Sequence, residues 1–245
     1  MPNDKSASTP TNDSDTRPRN RLLRQLPEAE FARVRPHLKT IPVAVRHVFY
    51  RVDEPIRHVV FPNGGVASLT TVLQDGSMVE AATVGTEGLL GVDVFLGAER
   101  AGGEAMMQVN DTSVELMPVA VFKAEMDAHG CLFKGVQRYS HALVMLMMQS
   151  TACTALHGIQ ERCCRWLLMT HDRIGEDVFH LSHEFLAMML GATRPTVTVV
   201  AGVLQKAGLI SYKHGRIRIH DRAGLEAGSC ECYATVKAHF DRLHM

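Results

Sequence analysis

The stretch "LGATRPTVTVVAGVLQKAGLI", residues 190–210, gives conflicting local signals for a strand and for a helix. Five β-branched residues in a row, 196–200, favour a strand. The flanks favour a helix instead, because Thr193 can cap its start, Pro195 fits the first turn and Gly208 suits a left-handed C-terminal residue. We predict a helix, in which tertiary packing outweighs a few tenths of a kcal/mol for each β-branched residue.

A second helix is predicted just before this one. The segment "LSHEFLAMMLG", residues 181–191, has Ser182 as a candidate N-cap and stops at Gly191, which gives a helix of about two turns. Two such helices joined by a short turn that contains glycine form the helix-turn-helix pattern. One face of the later helix is expected to pack on the earlier one through Val197, Val200, Ala201, Leu204 and Ala207.

The segment that follows distinguishes this pair from an ordinary two-helix corner. "GLISYKHGRIRIHDRAGL", residues 208–225, predicts a strand, a "KHGR" turn and a second strand. Such a basic hairpin is the wing of a winged helix, whose cations can reach the phosphate backbone of DNA. The short and forked side chains on the outer helix face suit a major groove. The candidate DNA contacts are Thr193, Arg194, Thr196, Thr198, Val199, Lys213, His214 and Arg216.

The charge of the chain supports nucleic-acid binding only locally. The whole chain has 26 basic and 26 acidic residues, so its formal net charge is zero. From Arg194 to Arg222, however, the sequence contains six basic residues and only one acidic residue, Asp221. Any surface that attracts DNA is therefore expected at the C-terminal end of the chain.

The N-terminal half has a different texture. Residues 1–20 are polar and lack an apolar signal-peptide core, so we expect a disordered tail and a cytoplasmic protein without a membrane partner. Residues 21–38 predict two small helices, the second opened by Pro27. Short strands then follow at regular spacing, which indicates a jelly-roll-like β-roll. The predicted strands are "HVVFP", "VASLTTVL", "SMVEAATV", "AMMQV" and "SVELMPV", and "QDGS" is a predicted hairpin turn.

A long helix is predicted after the roll. Apolar residues recur there at alternating steps of four and three, which is typical of a helix that packs along a seam. The seam either packs on the chain's own β-roll or meets its copy across a two-fold axis, and we predict the dimer. The predicted seam consists of Leu132, Val136, Tyr139, Leu143, Leu146 and Cys153.

The order of these parts resembles the Crp/Fnr family of bacterial transcription regulators. The resemblance extends from Arg21 to the end and implies an α+β protein: a β-roll sensor domain over 21–128, a dimerisation helix over 129–160 and a winged helix-turn-helix domain over 161–245. It further implies a homodimer that binds a pseudo-palindromic promoter site in double-stranded DNA, with RNA polymerase as a further partner. The positions of Thr193, Arg194, Thr198 and Val199 match those that cap the recognition helix or contact DNA in relatives.

The resemblance does not identify the effector. Glu87 and Gly88 match the start of the family's cyclic-nucleotide segment, but Gly103 and Glu104 stand where relatives have an Arg-Ser or Arg-Thr pair. Because an acidic residue repels phosphate, we expect no binding of cyclic AMP in the usual way. The first cysteine is Cys131, so the N-terminal cysteines that hold an iron–sulfur cluster in one branch are absent. Haem ligation, which His47, His58 or Cys131 could supply, stays open.

The cysteines and two rival functions complete the prediction. No pair of the six cysteines has the C-x-x-C spacing of a zinc site, so no metal site is predicted, although Cys230 and Cys232 could respond to oxidation or bind a soft metal. The adjacent Cys163 and Cys164 are assigned to core and surface.

A cupin-like enzyme would need an H-x-H cluster, which is missing, and we predict no catalytic residues. A cyclic-nucleotide-binding signalling module is disfavoured by Glu104.

Overall fold

The computed structural model describes residues 17–213 and 215–244. Residues 1–16 of the predicted tail and His214 of the predicted wing lie outside the described residues. The folded part begins before Arg21, because Asn20 is fully buried and its side chain accepts hydrogen bonds from the first backbone N–H groups of the next helix. The same side chain donates to the carbonyl oxygens of Pro62 and Gly88, at 3.1 and 2.8 Å. Asn20 therefore belongs to the core and not to the tail.

Two short helices and a β-roll follow. Helices α1 (Arg21–Arg24) and α2 (Glu28–Val34) flank Pro27, as predicted. The roll has two antiparallel sheets. One sheet has the order β1 (Lys39–Val43), β7 (Thr112–Pro118), β3 (His58–Pro62). The other has the order β2 (Val48–Tyr50), β6 (Glu104–Val109), β4 (Val66–Val72), β5 (Met78–Val84). The β4–β5 hairpin turns at the predicted "QDGS", where Gly76 has a φ of +82°.

All five predicted strands are confirmed, and two strands and a helix were missed. The short helix α3 (Val92–Phe95) begins after Gly91, whose φ of +90° suits only glycine without strain. Strand β1 contains a proline and is largely exposed, and β2 has only three residues, so neither has the alternating pattern that marks a strand in a sequence.

Helices α4 (Val119–Asp127) and α5 (Cys131–Leu156) close the roll. Helix α5 is the predicted long helix, but its predicted dimer seam points into the chain itself. Every one of the six seam residues is at most 2% exposed. They are covered by the chain's own elements, since β5, α1 and α4 all contact α5. The structure thus shows the alternative, in which the seam packs on its own chain: on the β-roll and its flanking helices, and at Cys153 on Cys230 and Cys232.

The C-terminal part is a winged helix-turn-helix. Its elements are α6 (Ile159–Ile174), β8 (Val178–His180), α7 (His183–Leu190), α8 (Arg194–Lys206), β9 (Ile210–Lys213), β10 (Arg216–Ile219), α9 (Arg222–Ala227) and α10 (Cys232–Asp241). The three strands form an antiparallel sheet of order β8-β10-β9, of which β8 was not predicted.

No single helix in the described part of the chain is long and apolar enough to cross a membrane. By length and composition alone, one bent pair of helices, α7 with α8, could do so.

Candidate nucleic-acid interface

The helix-turn-helix is built by the caps that the sequence predicts. The Ser182 hydroxyl accepts a hydrogen bond from the Phe185 N–H at 3.1 Å, and α7 ends at Gly191, which has a φ of +57°. After the turn, the Thr193 hydroxyl accepts from the Thr196 N–H at 3.4 Å and opens α8. These caps satisfy N–H groups that each helix leaves unpaired at its start. The two helices are bent by 105° relative to each other.

The β-branched run is helical because part of it is buried. Val197 and Val200 lie in the core, as do Ala201 and Leu204. Ala207 does not pack as predicted, because α8 ends at Lys206 and Ala207 lies exposed beyond its last turn. Val199 and Val203 are 67% and 44% exposed, so the outer face of α8 offers methyl groups to a binding partner.

The polar residues of this outer face differ in the hydrogen bonds and salt bridges that they form within the chain. Arg194 is exposed and forms no salt bridge among the described residues. The Thr193 and Thr196 hydroxyls lie 2.9 Å apart. The Thr198 hydroxyl donates to the Arg194 carbonyl and lies 3.0 Å from His183 Nδ1. The guanidinium of Arg194 is therefore available to bind a ligand.

His183 joins α7 to the wing, a role that the sequence analysis missed. Its ring stacks on that of Tyr212 with centroids 4.2 Å apart, and the Tyr212 hydroxyl donates to the Leu181 carbonyl at 2.8 Å. Burial, together with the charge of Arg194, lowers the pKa of His183. The neutral imidazole thus packs as an aromatic ring, and no helical or strand periodicity could have indicated this contact.

The wing presents cations, although fewer than the sequence count implies. Gly215 has a φ of +74° in the turn, and Lys213, Arg216 and Arg218 are exposed on its strands. Arg216 Nε donates to His180 Nε2 at 2.9 Å. Arg222 does not belong to this surface, because its guanidinium is bound by the carboxylates of Asp172 and Glu226.

Comparison with known proteins agrees with this geometry. A family model described as a Crp-like helix-turn-helix domain matches residues 161–227. The transcriptional regulator SdrP of Thermus thermophilus is 26% identical over 166 residues, which are 66% of this chain and 79% of that protein. Residues 161–227 are therefore a Crp-like helix-turn-helix domain, and the chain resembles Crp/Fnr-type transcription regulators. Solved structures of such regulators show the same fold along most of this chain.

Two of these structures illustrate the likeness of fold. A Crp/Fnr-family regulator from Eubacterium rectale superimposes with a TM-score of 0.67 at 16% identity, covering 85% of the regulator and 97% of that chain. FixK2 from Bradyrhizobium japonicum also superimposes with a TM-score of 0.67 at 18% identity, covering 79% of the regulator and 98% of that chain. The predicted α+β architecture is thereby confirmed.

The four predicted effector residues have different neighbours in the described part of the chain. Glu87 accepts a hydrogen bond from Arg173 Nε at 2.8 Å, and both side chains are only 8% exposed. At Gly88, an added Cβ would lie 2.1 Å from the Tyr139 ring, so glycine is needed there for packing. These two residues thus join the roll to α5 and α6.

The other two predicted effector residues have different neighbours. An added Cβ at Gly103 would lie 2.7 Å from the Thr70 carbonyl oxygen, and the Glu104 carboxylate lies 3.8 Å from Arg51 Nε. His47 and His58, the candidate haem ligands, line one cleft of about 440 Å³, and Cys131 is not among its lining residues.

A second polar joint connects the roll to α6. The Glu80 carboxylate accepts hydrogen bonds from Trp166 Nε1 at 2.9 Å and from the Ser68 hydroxyl at 2.6 Å. Burial raises the pKa of Glu80 to about 7, although these hydrogen bonds act in the opposite direction. The joint between the β-roll and the winged helix-turn-helix therefore contains a carboxyl group whose pKa burial raises toward neutral pH.

Replacing Glu80 with Gln is expected to flatten the dependence of stability on pH. Glu80 has an ordinary pKa of 4.5 in the unfolded chain and a higher one in the folded chain. Between these two values the folded chain holds a proton that the unfolded chain has released, so stability falls as the pH rises through this window. The free energy of unfolding should fall between pH 5 and pH 8 by roughly 2 kcal/mol more in the natural chain than in Glu80→Gln. Urea titrations at each pH, followed by the fluorescence of Trp166, the single tryptophan, measure this free energy of unfolding. Exposed Glu99→Gln serves as the control, and parallel profiles for all three chains would refute the assignment.

Proposed function

We propose that the regulator binds a pseudo-palindromic DNA site as a homodimer, in the cytoplasm, and answers to a signal received by its β-roll. This proposal rests on the exposed side of α8, which carries Arg194 and Val199, and on the exposed cations of the wing that follows it. Short apolar groups and an unpaired arginine are the side chains that read base edges in a major groove. Lys213 and Arg216 would then contact the phosphates on either side.

A dimer is supported by a face of α5 that the seam prediction did not include. This outer stripe runs at alternating steps of four and three on the exposed side of α5, and consists of Gln137, His141, Val144, Met148, Thr151 and Ala155. Val144 is 45% and Met148 is 62% exposed. Heptad spacing with apolar side chains left in solvent is typical of a helix that pairs with a copy of itself. We therefore place the dimer contact on the outer stripe.

The signal would act by changing how the DNA-binding domain is held. Two recognition helices must lie about 34 Å apart to enter successive major grooves. The polar contacts of Glu87 with Arg173 and of Glu80 with Trp166 help to hold each winged helix-turn-helix on its own roll, together with the packing of α7 on β5. An effector that favours one arrangement of these joints over another would shift the population that binds DNA.

Replacement of Lys213 with Ala tests the role of the wing. Lys213 is exposed and forms no salt bridge among the described residues. We expect weaker binding to every duplex sequence alike, and the slope of log K against log salt should fall in magnitude by about 1, since one phosphate contact is lost. Fluorescence anisotropy with a labelled random-sequence duplex, at several salt concentrations, measures the affinity and the salt slope. Lys123→Ala on α4 is the control, and an unchanged salt slope in Lys213→Ala would count against the wing contact.

A further inference from the structure

Four side chains that can bind metal meet where α5 and α10 come together. The nitrogen or sulfur atoms of Cys153, His157, Cys230 and Cys232 all lie within 4.8 Å of one another. The three cysteines are buried and form a small cluster separate from the main core. Our prediction of no metal site rested on the missing C-x-x-C spacing, whereas here the ligands come from two segments more than 70 residues apart. This cluster has no part in the DNA-binding surface.

The spacing of these atoms matches a tetrahedral zinc ion. Zinc binds sulfur at about 2.3 Å and nitrogen at about 2.0 Å, so ligand atoms at the corners of the tetrahedron are roughly 3.5–3.8 Å apart. The Cys153 and Cys230 sulfur atoms are 3.5 Å apart, and Cys232 Sγ lies 3.4 Å from His157 Nδ1. Only small side-chain movements would complete the coordination shell.

The surroundings of the cluster also resemble those of a metal centre. His157 Nε2 lies 3.3 Å from the carboxylate of Glu231, while Nδ1 of the same ring faces the sulfur atoms. A carboxylate on the outer nitrogen is the usual partner of a histidine that binds metal through its inner nitrogen. Gln149 Nε2 in turn donates to Cys232 Sγ at 3.0 Å. The exposed edge at Glu231 leaves a path by which an ion can enter.

An arginine side chain provides matching charge. A zinc ion with three thiolates and a neutral imidazole has a net charge of −1. Arg165 Nη1 and Nη2 donate to the Ser150 hydroxyl at 3.4 Å, about one helical turn before Cys153. Arg165 Nε is buried without a hydrogen-bond partner in the described part of the chain. An anionic metal centre about one turn away would offset this desolvated cation.

We propose that Cys153, His157, Cys230 and Cys232 bind one Zn²⁺ ion, which ties the end of α5 to the start of α10. On binding, the three thiols release their protons to solvent and each sulfur donates an electron pair to the metal, with no change in oxidation state. The N-terminus of α10 favours the thiolates at Cys230 and Cys232, since the helix dipole is positive there. The site would fasten the C-terminal helix of the DNA-binding domain to the long helix.

Two other uses of the cysteines fit the geometry less well. A disulfide requires sulfur atoms about 2.05 Å apart, and one between Cys153 and Cys230 would leave Cys232, His157 and Glu231 without a role. An iron–sulfur cluster places several irons and sulfides between its cysteine ligands. Ligand atoms that already lie within 4.8 Å of one another leave no room for it.

The metal content of the full-length chain, purified without chelators, tests the proposal independently of DNA binding. Mass spectrometry of the metals should find about one zinc per chain. Cobalt(II) added to the dialysed, reduced chain should give the intense visible bands of a tetrahedral thiolate site. Cys232→Ser should lose both signals, and Glu231→Gln, which changes an exposed side chain and leaves the core intact, should bind metal about 10–100-fold more weakly.

Matched variants keep the experiment informative if a cysteine variant folds poorly. Exposed Cys131→Ser should retain the zinc, and His157→Cys, which keeps four ligands, should also retain it. Trp166 fluorescence reports whether each chain is folded. The proposal is overturned if the folded natural chain holds no more zinc than Cys232→Ser, if cobalt gives no tetrahedral spectrum, or if a Cys153–Cys230 disulfide is found in the fresh protein.

Discussion

Met148→Glu is expected to convert the regulator into a monomer. Met148 lies near the middle of the outer stripe of α5 and is 62% exposed, so the substitution costs the single chain little. At a two-fold contact it would place two carboxylates against apolar surface, where charge without a partner is expensive to bury. Because linking two binding units raises avidity by about 10²–10⁴-fold, affinity for a specific site should fall within that range.

Light scattering during size-exclusion chromatography measures the mass, and fluorescence anisotropy measures the affinity. Leu96→Glu is the matched control, since Leu96 is 68% exposed and follows α3, whose ring contact with α5 is at Phe133, before the first residue of the outer stripe. The control should remain a dimer with natural affinity. If Met148→Glu also remains a dimer, the outer stripe is not the contact and the arrangement of the recognition helices must be derived from another surface.

Arg194→Ala is expected to reduce specific DNA binding by about 1–3 kcal/mol, which is roughly 5–150-fold in affinity. Arg194 is the first residue of α8 and stands exposed beside the Thr193 cap. A bidentate contact of its guanidinium with a guanine edge would account for this loss. The substitution should leave the fold unchanged, because the caps of α8 do not use the Arg194 side chain.

Anisotropy titrations with the selected site and with a scrambled duplex separate base reading from phosphate contact. Arg194→Ala should weaken binding to the selected site much more than binding to the scrambled one. Lys206→Ala, at the far end of the same helix, is the control and should affect both duplexes equally if at all. Equal losses on both duplexes for Arg194→Ala would show that Arg194 contacts phosphate only.

The winged helix-turn-helix could be predicted because its signals are local. Ser182 and Thr193 cap the helices, and Gly191, Gly208 and Gly215 adopt the left-handed backbone conformation that their positions require. Each of these effects operates within a few residues of the chain. The same holds for the strands of seven residues, whereas β2 and β8, with three residues each, have too few alternations to be detected.

The face of α5 was misassigned because periodicity identifies an apolar face without identifying what covers it. The residues from Leu132 to Cys153 repeat at helical spacing whether they pack on a sheet or on a second helix. The outer stripe, which is the free face, includes His141 and Thr151 and is therefore less conspicuous in the sequence. Only the packing of α5 on β5 separates the two faces.

The cysteine and histidine cluster could not be predicted because its ligands are far apart in the chain. Cys153 and His157 are one helical turn apart, but Cys230 and Cys232 join them only when α10 packs on α5. Likewise, Cys163 and Cys164 are both buried, whereas we had placed one of them at the surface. Burial of every cysteine except Cys131 depends on tertiary contacts that no local spacing encodes.

Selection of random duplex DNA on the purified full-length chain, followed by sequencing of the retained fragments, measures whether two recognition helices bind one symmetric DNA site. A dimer of recognition helices should enrich an inverted repeat whose half-sites are about 10 base pairs apart, centre to centre. Adding cell extract in a parallel selection supplies small molecules that could act as the proposed signal. A dimeric, DNA-binding regulator is contradicted if the folded protein enriches no motif in either selection, or enriches a single half-site without its inverted copy.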